Sequence, residues 1–542
     1  MDNYRWCSTI LLGCWLLAGC ARQSGNNDGY FHYNESSGVA SLDPAFAKNQ
    51  SIMWIIHQLY STLVEVGDDM EIRPSVADRW EISADGRIYR FHLKDSVWFH
   101  DSPCFPGGRG RRLKAADVVY SLRRLVDPAT ASSGAWIFNG KLDPRQGFRA
   151  VDDSTFELEL YKAFPPILGM LSMQYCSIIP EEAVQFYGAG FRSHPVGSGP
   201  FFFLAYEEGQ TLLLKRHRQY FEKDSSGQHL PYLPGIKITF NESKATEFLL
   251  FRQGQLHFVN DIDPSFKDEV LNKKGDLREA WKEQVTLKKH PYLNTEYLGI
   301  LMDPGNALVR RSPLRWKQVR QAINYGFDRK KMMLYLRNSI GRPAENGFVP
   351  PGLPSFDSAA VPGYTFRPDT ARKLVASIKR ESGEQAAVTL LTIPIYSDLA
   401  SYIARELQEI GLQVKVEVVQ KSFLLEQTAQ SQAMFFRGSW IADYPDAENY
   451  LSVFYSKNPA PPNYTRYSNP SFDKLYEAAL LETNDSIRYG LYRSMDRLLV
   501  ADAPVVPLWY DEVCWLVRKN VTGFTPNSQN LLELRHARLD QP

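Results

Sequence analysis

The apolar period changes along this chain, and that change limits the fold more than any other feature. Trp80 and Ile82 precede Asp85-Gly86, and Tyr89, Phe91 and Leu93 follow at every second position, as in two antiparallel strands joined by a type I′ turn. After Asp152-Asp153, Phe156-Glu157-Leu158-Glu159-Leu160 alternates in the same way, while Val118, Leu122 and Leu125 recur at helical spacing within 115–125. A further apolar stretch, 52–66, reads as helix. Later the order becomes helix then strand. Leu399, Ile403, Leu407 and Ile410 share one helical face, Gly411 suits a left-handed helix end, and Val414, Val416 and Val418 alternate with Lys415 and Glu417. A hairpin-rich first half and an α/β second half predict two lobes of different construction, and 542 residues suffice for about three to four structural units. No internal repeat of about 20 to 50 residues is visible, and Pro350-Pro351-Gly352-Leu353-Pro354 and Ala460-Pro461-Pro462 mark loops.

The first residues read as an address. No charge lies between Arg5 and Arg22, and the apolar run 10–18 is too short to span a bilayer, which predicts a signal peptide over 1–19. Leu17-Ala18-Gly19-Cys20 resembles a bacterial lipobox, which implies cleavage before Cys20, lipidation of its thiol and a linker over 20–29. The expected product is tethered to a membrane by N-terminal lipid alone. Of the six cysteines, Cys104, Cys176 and Cys514 lie beyond this region. Three cannot all pair, and inert buried thiols are the simplest expectation.

Charge narrows the function. The 62 Lys plus Arg against 61 Asp plus Glu give +1, so broad attraction to nucleic acid is excluded, and the one dense basic run, within 109–114, is short. Tyr and Trp are abundant, 28 and 11, which predicts that some line a cleft. No GxSxG, HExxH, GxxxxGK[ST] or post-strand GxGxxG occurs. Ser198 in Gly197-Ser198-Gly199-Pro200 reads as a turn residue, the histidines lack chelating spacing, and the acidic pairs Asp68-Asp69 and Asp152-Asp153 sit beside turns. No metal or cofactor is expected, and a secreted hydrolase built on acidic pairs is the weaker alternative.

One series of motifs points elsewhere. It begins with Ser41-Leu42-Asp43-Pro44-Ala45, Arg73-Pro74-Ser75-Val76-Ala77-Asp78-Arg79-Trp80, Val97-Trp98-Phe99-His100-Asp101 and Lys114-Ala115-Ala116-Asp117-Val118-Val119-Tyr120-Ser121. It continues through Pro195-Val196-Gly197-Ser198-Gly199-Pro200-Phe201, Val319-Arg320-Gln321-Ala322-Ile323, Trp440-Ile441-Ala442-Asp443-Tyr444-Pro445-Asp446 and Pro504-Val505-Val506-Pro507-Leu508. In this order the motifs resemble the peptide/nickel class of solute-binding proteins that serve ABC importers, bacterial extracellular solute-binding protein family 5. Two departures stand out: 102–112 is an enlarged Gly/Arg-rich loop, read as a solvated surface or a partner patch, and Pro445-Asp446-Ala447 replaces the usual continuation after Asp-Tyr.

The resemblance implies an α/β fold, a two-lobed class II clamp with an extra hairpin-rich subdomain in the first lobe. The implied division is 30–62 with 195–295 and 500–542 as lobe 1, 63–194 as its subdomain, and 296–499 as lobe 2. It also implies a monomer that captures a small peptide between its lobes and delivers it to the membrane subunits of an ABC permease. Asp443 would take the ligand's α-ammonium, Arg437 its terminal carboxylate, and Trp440 and Tyr444 would wall an apolar pocket. A zwitterion leaving water needs such partners at both ends. The same fold accepts metal chelates, sugars, opines and haem, so a non-peptide solute is the alternative.

Overall fold

Two long strands organise the molecule. In the computed structural model, which describes residues 28–540 apart from 264 and 383–386, Val285–Ile300 and Val505–Arg518 run antiparallel, from Val285 opposite Arg518 to Gly299 opposite Val505. The leader and Cys20 lie outside the described residues. The register of the two long strands breaks between Pro291 and Thr295, where a proline cannot donate to the ladder, and shifts again between Glu296 and Tyr297. On one side of the break Phe258–Asn260 pairs with residues 515–517; on the other, Phe435–Ile441 pairs with residues 294–300. Each long strand therefore begins in one lobe and ends in the other, giving a two-lobed α/β clamp.

The first lobe contains a four-stranded sheet in the order Phe31–Glu35, Gly235–Phe240, Thr211–Arg216, Phe201–Glu207. A second, antiparallel sheet carries Ala77–Ile82, Ile88–Leu93, Thr155–Glu159 and Phe148–Ala150. Phe91, Phe156 and Leu158 are buried, as alternation demands, and the intervening Glu157 is buried too, held by Arg90 at 2.9 Å and by Arg149. The turn differs from the expected type I′. Only Gly86 has a positive φ, and its N–H donates to the Ser83 carbonyl at 2.8 Å, so a right-handed turn closes on one left-handed glycine.

In the second lobe, Ser397–Gln408 buries Leu399, Ile403 and Leu407 and leads into Gln413–Val418, which lies parallel to Ala387–Thr392. Gly411, at φ +89°, lets its N–H reach the Gln408 carbonyl and that of Leu412 reach Leu407. This is the paired bonding that ends a helix on glycine.

Helix Gln50–Leu59 ends sooner than the apolar run 52–66 predicts. The reason lies in Gly197 and Gly199, whose backbones press on that turn: a Cβ at Gly197 would stand 2.1 Å from the Leu59 oxygen, and one at Gly199 2.5 Å from the Leu59 carbonyl carbon. Ser198 between them is wholly buried, which suits a turn and not a nucleophile. Asp43 is likewise structural, capping Ala45 and taking both Arg124 Nη atoms at 2.9 and 2.6 Å. In the loop 102–112, Arg111 is consumed by Asp117 and Glu182. No helix among the described residues is long and apolar enough to cross a membrane.

Candidate functional site

A cavity of about 790 Å³ opens between the lobes, lined from the first lobe by residues between Trp136 and Met170 and from the second by residues between Trp440 and Leu481. Large apolar groups stand exposed around it: Trp136 at 37%, Tyr161 at 57% and Leu481 at 53%. Apolar groups gathered in a cleft with a few polar ones make this the candidate binding site.

The second-lobe wall begins on strand Phe435–Ile441 and turns into the short helix Glu448–Leu451. Asn449, at the first turn of that helix, ties the wall together. Its Oδ1 accepts the Trp440 indole N–H at 2.8 Å and the Asp443 backbone N–H at 3.3 Å, and its Nδ2 donates to the Asp443 carboxylate at 3.4 Å. That long contact is the Asp443 carboxylate's one side-chain hydrogen bond, and among the described residues no Lys, Arg or His stands within 4 Å of it. The carboxylate is open to cavity water yet enclosed by both lobes, and this enclosure raises its pKa, with Asn449 pulling weakly the other way. An acid whose surroundings disfavour its charge, with no cation supplied by the protein, suits an incoming cation.

Tyr444 is buried rather than spread along the wall. Its ring lies 6.3 Å from Trp136 of the opposite lobe, and its hydroxyl donates to Glu448, as does that of Tyr476. Pro445 continues the contact, its Cδ 3.3 Å from where a Cβ on Gly169 would sit. Burial pushes the Glu448 carboxyl up, against the two tyrosine hydroxyls. Asp446 turns away, accepting the Glu448 N–H at 2.8 Å with Arg488 beside it at 3.7 Å.

Arg437 does not line this cavity. Its side chain, 13% exposed, pairs with Glu296, which is 4% exposed, and its guanidinium lies 3.9 Å over the Tyr396 ring. Period-two geometry explains the separation: Arg437 and Trp440 are three apart on one strand and so point to opposite faces. Glu296 belongs to a charged cluster at the register break, where Asn294 donates to Asp511 at 3.2 Å and Arg337 pairs with Asp511 at 3.1 Å. Of the four residues expected at the site, the structure brings together Asp443, Trp440 and Tyr444.

Sequence reasoning missed Asn449, Glu448, Trp136 and Lys141. Asn449 falls within one helical turn of Asp446, a signal that a cap-then-helix reading could have caught. Trp136 and Lys141 come from a segment more than 300 positions away and carry no local signal.

A smaller cavity, about 390 Å³, lies within the first lobe. Its charges satisfy one another: Arg535 binds Glu65 at 2.9 Å and Glu533 at 3.0 Å, and His57 reaches Glu533 at 3.0 Å. Asp68, on its rim, is exposed to solvent and makes no ion pair among the described residues, whereas the buried charges of this cavity are paired. The described residues contain no group of three or more His, Cys, Asp or Glu able to hold a metal. Cys104, Cys176 and Cys514 are free thiols, and burial raises the pKa of the latter two.

Comparison with known proteins agrees with the fold and identifies the family. The family model described as bacterial extracellular solute-binding proteins, family 5 Middle, matches residues 71–462. The Heme-binding protein A of Haemophilus influenzae is 26% identical over 508 residues, 90% of this chain and 88% of that protein. The dipeptide-binding protein of Escherichia coli is 24% identical over 489 residues, 86% of each. Among solved structures, the unliganded open form of the periplasmic murein tripeptide binding protein MppA superposes with a TM-score of 0.78 at 21% identity, covering 94% of this chain and 97% of that one.

Proposed function

Because the chain belongs to family 5 of the bacterial extracellular solute-binding proteins, substrate-binding proteins of ABC importers and not enzymes, we propose that it is a lipid-anchored receptor that captures small peptides between its lobes and passes them to an ABC permease. One observation carries the peptide reading: the Asp443 carboxylate faces the inter-lobe cavity with no cation of the described residues within 4 Å of it. A peptide's α-ammonium supplies the missing charge, and aromatic walls bury its side chains without reading them closely. The name of the Escherichia coli relative agrees with this.

Haem, named for the Haemophilus relative, has less support: its propionates are anionic and offer the Asp443 carboxylate no cation, and of the side chains that ligate haem iron the lining contains Tyr and Met but neither His nor Cys. The anchor rests on Leu17-Ala18-Gly19-Cys20. Cys20→Ser should release the protein from membranes, and a variant that stays membrane-bound removes the lipid from the account.

Isothermal titration against a di- to pentapeptide library tests the function. Saturation at one peptide per protein, without turnover, is expected. Absence of binding across the library, together with a spectral shift on adding haem, would replace the peptide with the porphyrin.

A further inference from the structure

With Arg437 committed to Glu296, the cavity still contains a cation for the other end of its guest. We propose that Lys141, on the first-lobe wall, receives the terminal carboxylate, so that the preferred guests are short peptides with both termini free. This assignment rests on the peptide reading above and adds the second anchor to it.

Lys141 is half-buried in the lining. Its Nζ donates to the Trp136 carbonyl at 3.3 Å and lies 5.3 Å over the Phe164 ring. These contacts aim the ammonium and leave donors free, because a lysine has three. No carboxylate of the described residues lies within 4 Å of it. Burial lowers the Lys141 pKa, and Glu448 is the acid that opposes this, favouring the charged ammonium. Both Glu448 oxygens already accept tyrosine hydroxyls, so this acid attracts Lys141 without closing on it.

The anchors stand on different lobes, Lys141 on the first and Asp443 on the second. A guest with two charged ends therefore gains its second ion contact when the lobes approach, which is the differential interaction that closure requires. The volume of about 790 Å³ falls in the range that encloses small ligands and limits the guest to a few residues. Lys162 also lines the cavity, but it is exposed to solvent, with no ion pair among the described residues to aim it.

The test uses the full chain and one peptide library in two forms, with C-terminal carboxylates or with C-terminal amides. The parent should bind the acids about ten- to hundredfold more tightly than the amides, the worth of a charge-assisted contact. Lys141→Gln should bring the two forms within about twofold, and Lys141→Arg, which keeps the charge, should restore part of the difference. Melting curves establish that the variants fold, and the parent's own acid-to-amide ratio stands whether or not they do. Binding of both forms by the parent with equal affinity overturns the assignment and leaves the peptide reading intact. A ratio that survives Lys141→Gln, or that disappears in Lys162→Gln instead, also overturns it. If neither form binds, the peptide reading fails and the assignment falls with it.

Discussion

Replacing Asp443 by Asn removes a charge from the cavity wall while leaving an oxygen for the Asn449 amide. In the free protein that carboxylate is open to water and held by one contact of 3.4 Å, so the folded state loses little. With a peptide in place the exchange is different, because the water at Asp443 is replaced by a charge-assisted hydrogen bond of about 1.5–3 kcal/mol. The open cleft screens part of it, which puts the expected loss near 2 kcal/mol, or roughly thirtyfold in Kd. Titration calorimetry should compare one peptide with its N-acetylated form. The parent should prefer the free amine, and Asp443→Asn should bind both forms alike at the acetylated peptide's affinity. The pH response has a definite sign. An ammonium favours the ionised acid, so binding lowers the pKa that enclosure has raised. Affinity should weaken as pH falls through that raised value, with proton release on binding there, and the Asn variant should lack both effects. A variant that still prefers the free amine would refute the reasoning.

Arg437→Met should leave Glu296 buried without its cation and cost about 3–5 kcal/mol of stability, while the acid-to-amide preference persists; a lost preference with unchanged melting would return Arg437 to the site. Asp496 is fully buried, accepts the Phe348 and Val349 N–H groups at 2.7 and 3.2 Å, and has its pKa raised to about 7 by burial. A folded value above the unfolded one, about 3.9, means stability that is complete below the unfolded value and lost as pH rises through 7. Urea midpoints of the parent should therefore fall between pH 5 and 8 relative to Asp496→Asn, and parallel curves would contradict this. Gly199→Ala must place a methyl 2.5 Å from the Leu59 carbonyl carbon, which should cost about 1–3 kcal/mol or prevent folding; wild-type melting would show that this turn has room to move.

Local periodicity made the elements legible. The strand Ile88–Leu93, the helix Ala115–Val126 and the helix-to-strand passage through Gly411 all follow patterns contained within about twenty residues. Trp440 and Asp443, singled out together in the motif Trp440-Ile441-Ala442-Asp443, both line the inter-lobe cavity because they share one turn of chain. Arg437 was implied for the terminal carboxylate by the resemblance alone; in the structure it pairs with Glu296, and the pleat puts it on the other face of the strand from Trp440. Helix Gln50–Leu59 ended early for a reason no local pattern contains, the approach of Gly197 and Gly199 from far along the chain. Lys141 and Trp136 were silent for the same reason: their role exists only after the two lobes meet.

The most direct measurement is a crystal structure of the protein with a short peptide bound. The account predicts the peptide's α-ammonium nitrogen within hydrogen-bonding distance of an Asp443 carboxylate oxygen, between the Trp136 and Trp440 walls. A peptide found instead in the first-lobe cavity beside Glu65 and Arg535, or bound between the lobes with Asp443 still facing water, would contradict it.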